Sequence, residues 1–370
     1  MKICIIGNPN SIHVRRWVKD FILKNYSVHL IGEHKLNVRL PEDVIFHDLT
    51  KLLNIRKLRY LIWAWQSRRI VQSVQPDILH AQSAVSAGWL GAATGYHPFL
   101  ITAHGSDLIL LDQRDWFFSA ITKWALRKAD YVTCVSDSLA LKARALGVKS
   151  DNVEVVHLGV DLDIFHPSLD PQSIRRRLGW GTEPLILSIR AMRPLYNVLD
   201  IARAIPLVLD RVPNARFMIF SYNADPIYLS RLQAELSDLV TSGKVILVEN
   251  LADDLSIAEY YQVCDVAVSV PASDGTPKSV QEAMACGAPV VVSELESLRE
   301  WVTHDKEGLF VPLGDIQAIS QAIVRLLQDE NLRRLMGQNA SEKIRQQADR
   351  VRWEQRAENI YHELINRRNN

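Results

Sequence analysis

Short, mainly apolar runs alternate with amphipathic segments along most of this chain of 370 residues. In the first half, such runs occupy residues 2–6, 28–31, 76–81 and 100–103. Their length and their β-branched side chains are typical of buried parallel strands, and the amphipathic segments between them predict helices. In the second half the same pattern predicts strands at residues 185–189, 216–221, 245–248, 266–270 and 290–292. The sequence therefore predicts an α/β fold with parallel sheets.

A strand, a loop, a short helix and a second strand follow one another at residues 266–293. Thr276 is predicted to cap the helix, Pro277 to be its first residue, and Gly287 to take the left-handed position after its end. The helix is thus predicted over residues 277–286. Its N-terminus lies at the carboxyl end of a strand, where unpaired backbone N–H groups favour an anionic ligand.

Two acidic residues flank this helix N-terminus, Asp274 in the loop and Glu282 within the helix. The helix face that must pack on the sheet consists of Val280, Ala283 and Met284. Because Glu282 points away from that face, we expect it to be exposed and available to a ligand. The alternative is that Glu282 forms an ordinary exposed ion pair with Lys278, four residues earlier.

An acid, seven further residues and then Glu-Ala-Met-Ala-Cys-Gly-Ala-Pro-Val-Val resemble the donor-site signature of glycosyltransferase family 4. The resemblance implies the GT-B fold, in which two Rossmann-like, doubly wound parallel-sheet domains face each other across a cleft. It also implies a retaining reaction, in which Asp274 contacts the donor sugar and Glu282 holds the ribose hydroxyl groups of the nucleotide. The family usually has glutamate at the first position, and Asp274 is one methylene shorter.

Two arginines, Arg190 and Arg193, follow the strand at residues 185–189. Members of the resembled family carry an arginine in this turn and then a Lys-Gly pair, and both cations hold the donor diphosphate. Either arginine matches the first cation, whereas Tyr196 and Asn197 occupy the region of the lysine. The alternative is a solvated loop. The helix N-terminus completes the predicted diphosphate site with Gly275, Thr276, Pro277, Lys278 and Ser279. Lys278 is our candidate for the charge of the missing lysine.

A histidine ends the strand at residues 100–103 and begins the sequence His-Gly-Ser-Asp. In the resembled family the corresponding histidine approaches the transferred sugar, which predicts His104 as a hydrogen-bonding group rather than a nucleophile. A second histidine, His13, lies near the start of the first predicted helix. It either contacts the acceptor or has a structural role, and the sequence leaves both open.

The segment at residues 157–167 resembles the interdomain hinge of the family. We predict an N-terminal acceptor-binding domain at residues 1–165, a nucleotide-sugar donor domain at residues 166–345, and a C-terminal helix at residues 346–370 that packs towards the first domain. Asp161 and Asp163 form a D-x-D sequence, but their place in the hinge predicts bonds to backbone N–H groups of a turn. We expect neither a metal nor a cofactor besides the nucleotide-sugar substrate.

Composition narrows the class of protein further. The net charge of +1 gives no indication of nucleic-acid binding, and the four cysteines are scattered without a C-x-x-C motif. We therefore predict reduced cysteines. No apolar run approaches the ~20 residues of a membrane span, and the N-terminus does not resemble a signal peptide. These features predict a cytoplasmic protein, located in the cytosol or at the inner face of the cell membrane.

Two amphipathic segments, residues 51–75 and 114–128, mix basic and aromatic residues. The apolar face of the first is predicted to consist of Leu58, Leu61, Ile62 and Trp65. Basic side chains beside aromatic rings favour contact with an anionic membrane. A packed apolar face with a solvated basic face is the alternative.

Together, these features predict a glycosyltransferase. It would move a sugar, with retention, from a nucleotide diphosphate sugar to a hydroxyl group of a saccharide or lipid-linked acceptor, in the synthesis of cell-surface polysaccharide or glycolipid. Two rivals share the fold. One is a nucleotide-sugar 2-epimerase, and the other is an inactive partner subunit that lost the lysine.

Overall fold

The computed structural model describes residues 1–51, 59–113, 115–249, 254–275 and 277–369. The chain forms two compact units: Met1–His157 with Glu354–Asn370, which we call the first unit, and Leu158–Trp353, the second unit. The domain boundaries proposed above at residues 165 and 345 stay predictions. Within the described ranges, no helix combines the length and the apolar character needed to span a membrane.

The first unit contains a seven-stranded parallel sheet. Its strands are β1 (Lys2–Gly7), β2 (Ser27–Gly32), β3 (Val44–Asp48), β4 (Ile78–Ala81), β5 (Phe99–Ala103), β6 (Tyr131–Cys134) and β7 (Val153–Val155). Its helices are α1 (Ile12–Leu23), α2 (Arg59–Val74), α3 (Ser86–Thr94), α4 (Ser106–Ile109), α5 (Trp116–Lys128) and α6 (Asp137–Ala145). The strand order is β3-β2-β1-β4-β5-β6-β7. Strands β4, β5 and β6 are buried along their whole length, as their apolar runs predict.

The second unit contains a six-stranded parallel sheet. Its strands are β8 (Leu185–Ile189), β9 (Arg216–Phe220), β10 (Val245–Val248), β11 (Val266–Ser269), β12 (Val290–Ser293) and β13 (Gly308–Val311). Its helices are α7 (Pro171–Arg177), α8 (Val198–Leu209), α9 (Pro226–Thr241), α10 (Asp254–Val263), α11 (Lys278–Ala285), α12 (Glu296–Arg299), α13 (Ile316–Gln328) and α14 (Glu330–Gln347). The strand order is β10-β9-β8-β11-β12-β13.

In each sheet the direction of strand addition reverses once, between β1 and β4 in the first unit and between β8 and β11 in the second. The loops that follow such a pair of strands diverge and leave a crevice at their carboxyl ends, where α/β sheets bind ligands. Gln82 follows β4, and Arg190 follows β8. The topology therefore positions residues of both units at predicted ligand crevices.

The last helix, α15 (Arg350–Asn369), joins the first unit from Glu354 onwards. Tyr361 is 1% exposed and lies beside His80 of β4. Nε and Nη2 of Arg356 donate to the Glu154 carboxylate at 2.5 and 2.6 Å. Charged pairs and a buried aromatic ring thus hold this helix against the sheet of the first unit.

The apolar face predicted for residues 51–75 is wrong in its described part. Leu61 and Trp65 are 69% and 53% exposed, whereas Trp63 and Val71 are buried. The helix carries apolar side chains of its own on every side, so their periodicity does not decide which face packs against the sheet. Leu58 lies outside the described residues. On α5, the rings of Trp116, Phe117 and Trp124 are exposed as well.

Candidate functional site

The predicted short helix is present as α11, one residue shorter at each end than expected. Pro277 precedes its first turn, and Gly287 takes the left-handed conformation that was predicted, with φ of +83°. Val280, Ala283 and Met284 are buried, as their spacing predicts. Thr276, the predicted cap, lies outside the described residues.

Arg190 connects three elements at the crevice of the second unit. Its Nη2 donates to Oδ2 of Asp274 at 2.7 Å, and its Nη1 donates to Oγ of Ser279 at 2.9 Å. The ring of Tyr196 lies under the guanidinium, with 4.2 Å between the Cζ atom and the ring centroid. The Arg190 side chain is 8% exposed and that of Asp274 is 12% exposed. The solvated-loop alternative is therefore wrong for Arg190.

The charge of Arg190 is maintained by its surroundings. Burial is the largest single effect and lowers the pKa of this guanidinium, but the attraction and hydrogen bond to Asp274, together with attraction to Tyr196 and Tyr222, raise the pKa above its usual value. A buried cation is favourable only when it is paired and hydrogen-bonded, and Asp274 and Ser279 provide both. The loop after β11 and the first turn of α11 are consequently held to the end of β8.

Arg193 is oriented differently. Its Nε donates to the backbone oxygen of Asn223 at 3.2 Å, and its Nη2 donates to Oδ1 of the same residue at 2.8 Å. Both bonds are exposed. The structure therefore brings Arg190, Asp274 and Ser279 together and directs Arg193 to another loop.

Glu282 is 9% exposed, so the predicted exposed position and the exposed ion pair are both wrong. Its Oε1 lies 3.6 Å from Nζ of Lys278, and this ammonium also donates to the backbone oxygen of Gly159 at 2.5 Å. The segment around Gly159 thus contacts the start of α11. Helical spacing places Glu282 away from the sheet, but it cannot reveal that a segment distant in the sequence contacts Lys278, one helical turn before Glu282.

The D-x-D sequence forms the turn that was predicted. Oδ1 of Asp161 accepts from the backbone N–H of Asp163 at 3.2 Å, and Oδ2 of Asp161 forms an ion pair with Nη1 of Arg350 at 2.9 Å. Over the ranges that the structure covers, no group of three or more His, Cys, Asp or Glu side chains is arranged to hold a metal ion. The expectation of a metal-independent protein stays a prediction.

In the first unit, His104 follows β5 and meets Gln82 after β4. Nε2 of His104 lies 2.9 Å from Oε1 of Gln82, and the ring of His13 stacks on that of His104 with 4.9 Å between centroids. Nδ1 of His104 is buried and has no hydrogen-bond partner among the described residues. Burial lowers the pKa of His104 to about 4, so the imidazole is neutral near pH 7.

The aspartate of the His-Gly-Ser-Asp sequence organises these loops. Oδ1 of Asp107 accepts from the backbone N–H of Gly105 at 2.9 Å, and its Oδ2 accepts from that of Ala84 at 2.9 Å. Asp107 therefore joins the loop after β5 to the loop after β4.

Sequence reasoning missed Gln82 and the packing role of Tyr196. A signal for Gln82 exists, because His80 and Gln82 at the end of β4 repeat the spacing of Thr102 and His104 on the neighbouring strand. Polar side chains at alternate positions of a buried strand must find partners. No comparable signal shows that Tyr196 stacks on Arg190.

Comparisons with known proteins agree with this architecture. Residues 2–136 match the family described as "Glycosyl transferase 4-like", and residues 170–343 match "Glycosyl transferases group 1". The chain is 22% identical over 360 residues to the N-acetyl-alpha-D-glucosaminyl L-malate synthase of Bacillus anthracis, with 94% of this chain and 92% of that protein covered.

A second relative is the GDP-mannose-dependent alpha-(1-6)-phosphatidylinositol monomannoside mannosyltransferase of Mycobacterium tuberculosis. It is 24% identical over 359 residues, with 89% of this chain and 90% of that protein covered. Among solved structures, HepE of Anabaena in complex with UDP and glucose matches with a TM-score of 0.79 at 18% identity. That match covers 98% of this chain and 100% of HepE.

Proposed function

Because this chain belongs to the family 4 type of glycosyltransferases and is a transferase enzyme with the GT-B fold, we propose that it transfers a sugar, with retention, from a nucleotide diphosphate sugar. The proposed acceptor is a hydroxyl group of a saccharide or of a lipid-linked molecule. HepE was solved with UDP and glucose, and the mycobacterial relative is named for a lipid acceptor. The first observation supports a nucleotide-sugar donor, and the second supports a lipid-linked acceptor.

The observation that carries the proposal is the arrangement around Arg190. A buried, charged guanidinium lies between Asp274 and Ser279, beside the N-terminus of α11 and at the crevice of the sheet. Departure of a nucleoside diphosphate needs positive charge fixed in advance near its oxygens, more than it needs a strong base. Arg190 and the helix N-terminus supply that charge, and Arg190 is the arginine that we assign to the diphosphate.

The proposed roles of Glu282, Asp274 and His104 follow from their positions in the two crevices. Glu282 is the proposed partner of the ribose hydroxyl groups, with Lys278 balancing its charge at 3.6 Å. Asp274 and His104 are the proposed sugar contacts. Asp274 would orient the sugar from a carboxylate that Arg190 holds in place. His104, neutral near pH 7, would act only as a hydrogen-bonding group.

We also propose that the enzyme works in the cytoplasm at the inner face of the cell membrane, in polysaccharide or glycolipid synthesis. Support comes from the exposed rings of Trp65, Trp116 and Phe117 on α2 and α5, with the guanidinium of Arg69 over the Trp65 ring at 4.0 Å. Exposed aromatic rings next to basic side chains suit the lipid headgroup region.

The test uses the purified chain with UDP-glucose and with GDP-mannose, each without acceptor. A transferase hydrolyses its donor slowly, an epimerase interconverts two donor sugars, and an inactive subunit does neither. Slow hydrolysis of one donor supports the proposal. Interconversion, or the absence of both reactions together with no UDP or GDP binding by calorimetry, overturns it.

The role of Arg190 is tested with Arg190→Gln. The loss of a charged hydrogen bond to the diphosphate should weaken binding of UDP or GDP by about 1.5 to 3 kcal/mol. The dissociation constant would then be roughly 10- to 150-fold larger. Arg231→Gln, an exposed arginine on α9, is the matched control and should bind as the wild type does. Equal affinities of the two variants would exclude Arg190 as the diphosphate contact.

A further inference from the structure

Polar side chains share one face of the central strands of the first unit. His80 and Gln82 are two positions apart at the end of β4, and Thr102 and His104 are two positions apart at the end of β5. Side chains two positions apart in a strand lie on the same face. Thr133 is the register partner of Thr102 on β6. All but His104 are at most 5% exposed, so each polar group needs a protein partner.

These groups form one continuous hydrogen-bonded network. The hydroxyl group of Tyr361 bonds to Nδ1 of His80, and Nε2 of His80 lies 2.7 Å from Oγ1 of Thr102. Oγ1 of Thr102 lies 2.6 Å from that of Thr133. On the other side, Nε2 of Gln82 lies 3.2 Å from Nδ1 of His80, and Oε1 of Gln82 lies 2.9 Å from Nε2 of His104.

The direction of the bonds that Gln82 forms follows from which of its atoms can donate. Burial lowers the pKa of His80 to about 3 and that of His104 to about 4, so each ring carries one N–H near pH 7. The amide nitrogen of Gln82 lies 3.2 and 3.3 Å from Nδ1 and Nε2 of His80, and in either tautomer of the neutral ring one of these two nitrogens is unprotonated and can accept from it. The amide nitrogen of Gln82 is thereby directed to His80 and its oxygen to His104.

The tautomer of His104 is then determined. Oε1 of Gln82 can only accept, so Nε2 of His104 carries the proton and Nδ1 is an acceptor. That Nδ1 is buried and without a hydrogen-bond partner in the described part of the chain. Leaving a buried acceptor unpaired is unfavourable, and a ligand group that donates to it would remove this cost.

We propose that Gln82, held by His80 and through it by Tyr361, is a positioning residue that fixes His104 as an acceptor at Nδ1, so that the site selects a sugar hydroxyl group that donates. The inference rests on the proposed function for the identity of the ligand, but the tautomer itself is a property of the ligand-free protein. The class of ligand follows from the chemistry: a hydroxyl group fits Nδ1, whereas a fluorine substituent, which can only accept, does not.

The first experiment is 15N NMR of the histidine rings at pH 7, with the His104 signals assigned by comparison with His104→Gln. We expect Nδ1 at the shift of an unprotonated nitrogen in the wild type and in Gln82→Glu, which keeps an acceptor for Nε2–H. Gln82→Met has the shape of glutamine but no amide oxygen to accept the bond. In this variant the 15N chemical shifts of Nδ1 and Nε2 of His104 should move towards the average of the two tautomers. Gln66→Met, a buried glutamine on α2, is the control and should leave the His104 signals unchanged.

A wild-type spectrum with the proton on Nδ1, or a Gln82→Met spectrum identical to the wild type, overturns the proposal. If Gln82→Met does not fold, the wild-type and Gln82→Glu spectra still decide. These outcomes need no catalytic activity, so they are separate from failure of the proposed function.

The second experiment uses donor sugars in which one hydroxyl group at a time is replaced by fluorine. We expect one analogue to lose at least 10-fold in kcat/KM with the wild type and Gln66→Met, and Gln82→Met to lose at least half of that discrimination. If all three proteins discriminate equally between hydroxyl and fluorine donors while the NMR result is as expected, His104 does not accept a hydrogen bond from a sugar hydroxyl group. The proposed selection of a donating hydroxyl group is then wrong.

Discussion

Lys278 and Arg190 are two cations of the second unit that are held by different kinds of partner. Arg190 faces a carboxylate and a hydroxyl group, and burial strengthens both contacts. Lys278 donates to the backbone oxygen of Gly159 and lies 3.6 Å from the Glu282 carboxylate. The hypothesis that Lys278 replaces the missing lysine expected a side chain directed at phosphate. The contacts of Lys278 with Gly159 and Glu282 also give this residue a structural role.

We therefore predict that Lys278→Met lowers the free energy of unfolding of the second unit by about 1 to 3 kcal/mol even without ligand, because the Gly159 carbonyl loses its donor and the buried Glu282 loses a cation. Urea denaturation measures the change. The control is Lys244→Met, which removes a similar bond, from Nζ to the backbone oxygen of Pro213 at 2.6 Å, but at an exposed position. Equal destabilisation of both variants would contradict the role of burial.

His80 makes the stability of the first unit dependent on pH. Burial, followed by the nearby His104, lowers its pKa from 6.5 to about 3. An unfolded chain therefore binds a proton that the folded protein does not bind between these values, and the free energy of unfolding falls as the pH drops from 6.5 towards 3. Each histidine that titrates in this way contributes up to about 1.4 kcal/mol per pH unit.

We expect His80→Leu to have a shallower pH slope than the wild type between pH 6.5 and 4.5, and His362→Leu, at an exposed position of α15, to keep the slope. Hydrogen exchange of the β4 and β5 amides measures the free energy locally. Parallel slopes for the wild type and His80→Leu would show that His80 is not the group that titrates.

Single residues were predictable where the backbone demanded them. Gly287 was expected in a left-handed conformation because a helix ends there and a strand begins within three residues. Asp161 was expected in a turn and accepts from the backbone of Asp163. The burial of Glu282 was not predictable, because its neighbour Lys278 contacts Gly159, which lies 119 residues earlier. The stacking of Tyr196 on Arg190 was not predictable either, because it depends on the path of the loop between β8 and α8.

At the scale of elements, the buried strands were predictable and the surfaces of helices were not. A strand covered on both sides is mainly apolar, so β4, β5, β11 and β12 are evident in the sequence. Strand β3 lies at the edge of its sheet and is only partly buried, and its sequence Val-Ile-Phe-His-Asp was not recognised as a strand. Helix α2 shows apolar residues on every side, which leaves its packed face undetermined.

The exposed aromatic rings of α2 and α5 lead to a prediction about lipid binding. Replacing Trp65, Trp116 and Phe117 together by serine should reduce cosedimentation with anionic vesicles at least several-fold, because each ring loses its transfer into the interface. The melting temperature should hardly change, since these side chains are 53%, 81% and 57% exposed.

Leu169→Ser in the second unit removes an exposed side chain of similar character and should leave vesicle binding unchanged. Vesicles of neutral lipid complete the comparison. Unaltered binding of the triple variant to anionic vesicles would mean that α2 and α5 do not contact lipid.

At the scale of the whole molecule, the sequence indicated two parallel-sheet units through the repeated alternation of strands and helices. The sequence pattern does not show that the second unit ends at Trp353, because this position lies within the continuous helix α15. The contacts of α15 illustrate this. Arg356, Glu358 and Tyr361 bind Glu154, Lys24 and His80, which lie hundreds of residues earlier.

We predict that deletion of residues 354–370 destabilises the first unit and not the second, although the deleted segment directly follows the second unit in the chain. Amides of β4 and β5 should lose protection by at least 100-fold in hydrogen exchange, since Tyr361 and its ring contacts are lost. Amides of β8 and β11 serve as the internal control. Equal loss in both units would contradict the assignment of α15.

Ribosomes complete the sheet of the first unit long before they make the helix that covers it. Tyr361 is synthesised 281 residues after His80, a delay on the order of tens of seconds at the usual rates of translation. Throughout that time Trp17 and Phe21 lack the ring of Tyr361, which both contact in the finished protein. The continuous segment Leu158–Trp353 can fold first, although it is made second. Order of synthesis and order of completion are therefore reversed, and the first unit lacks its contacts with Tyr361 until α15 has been made.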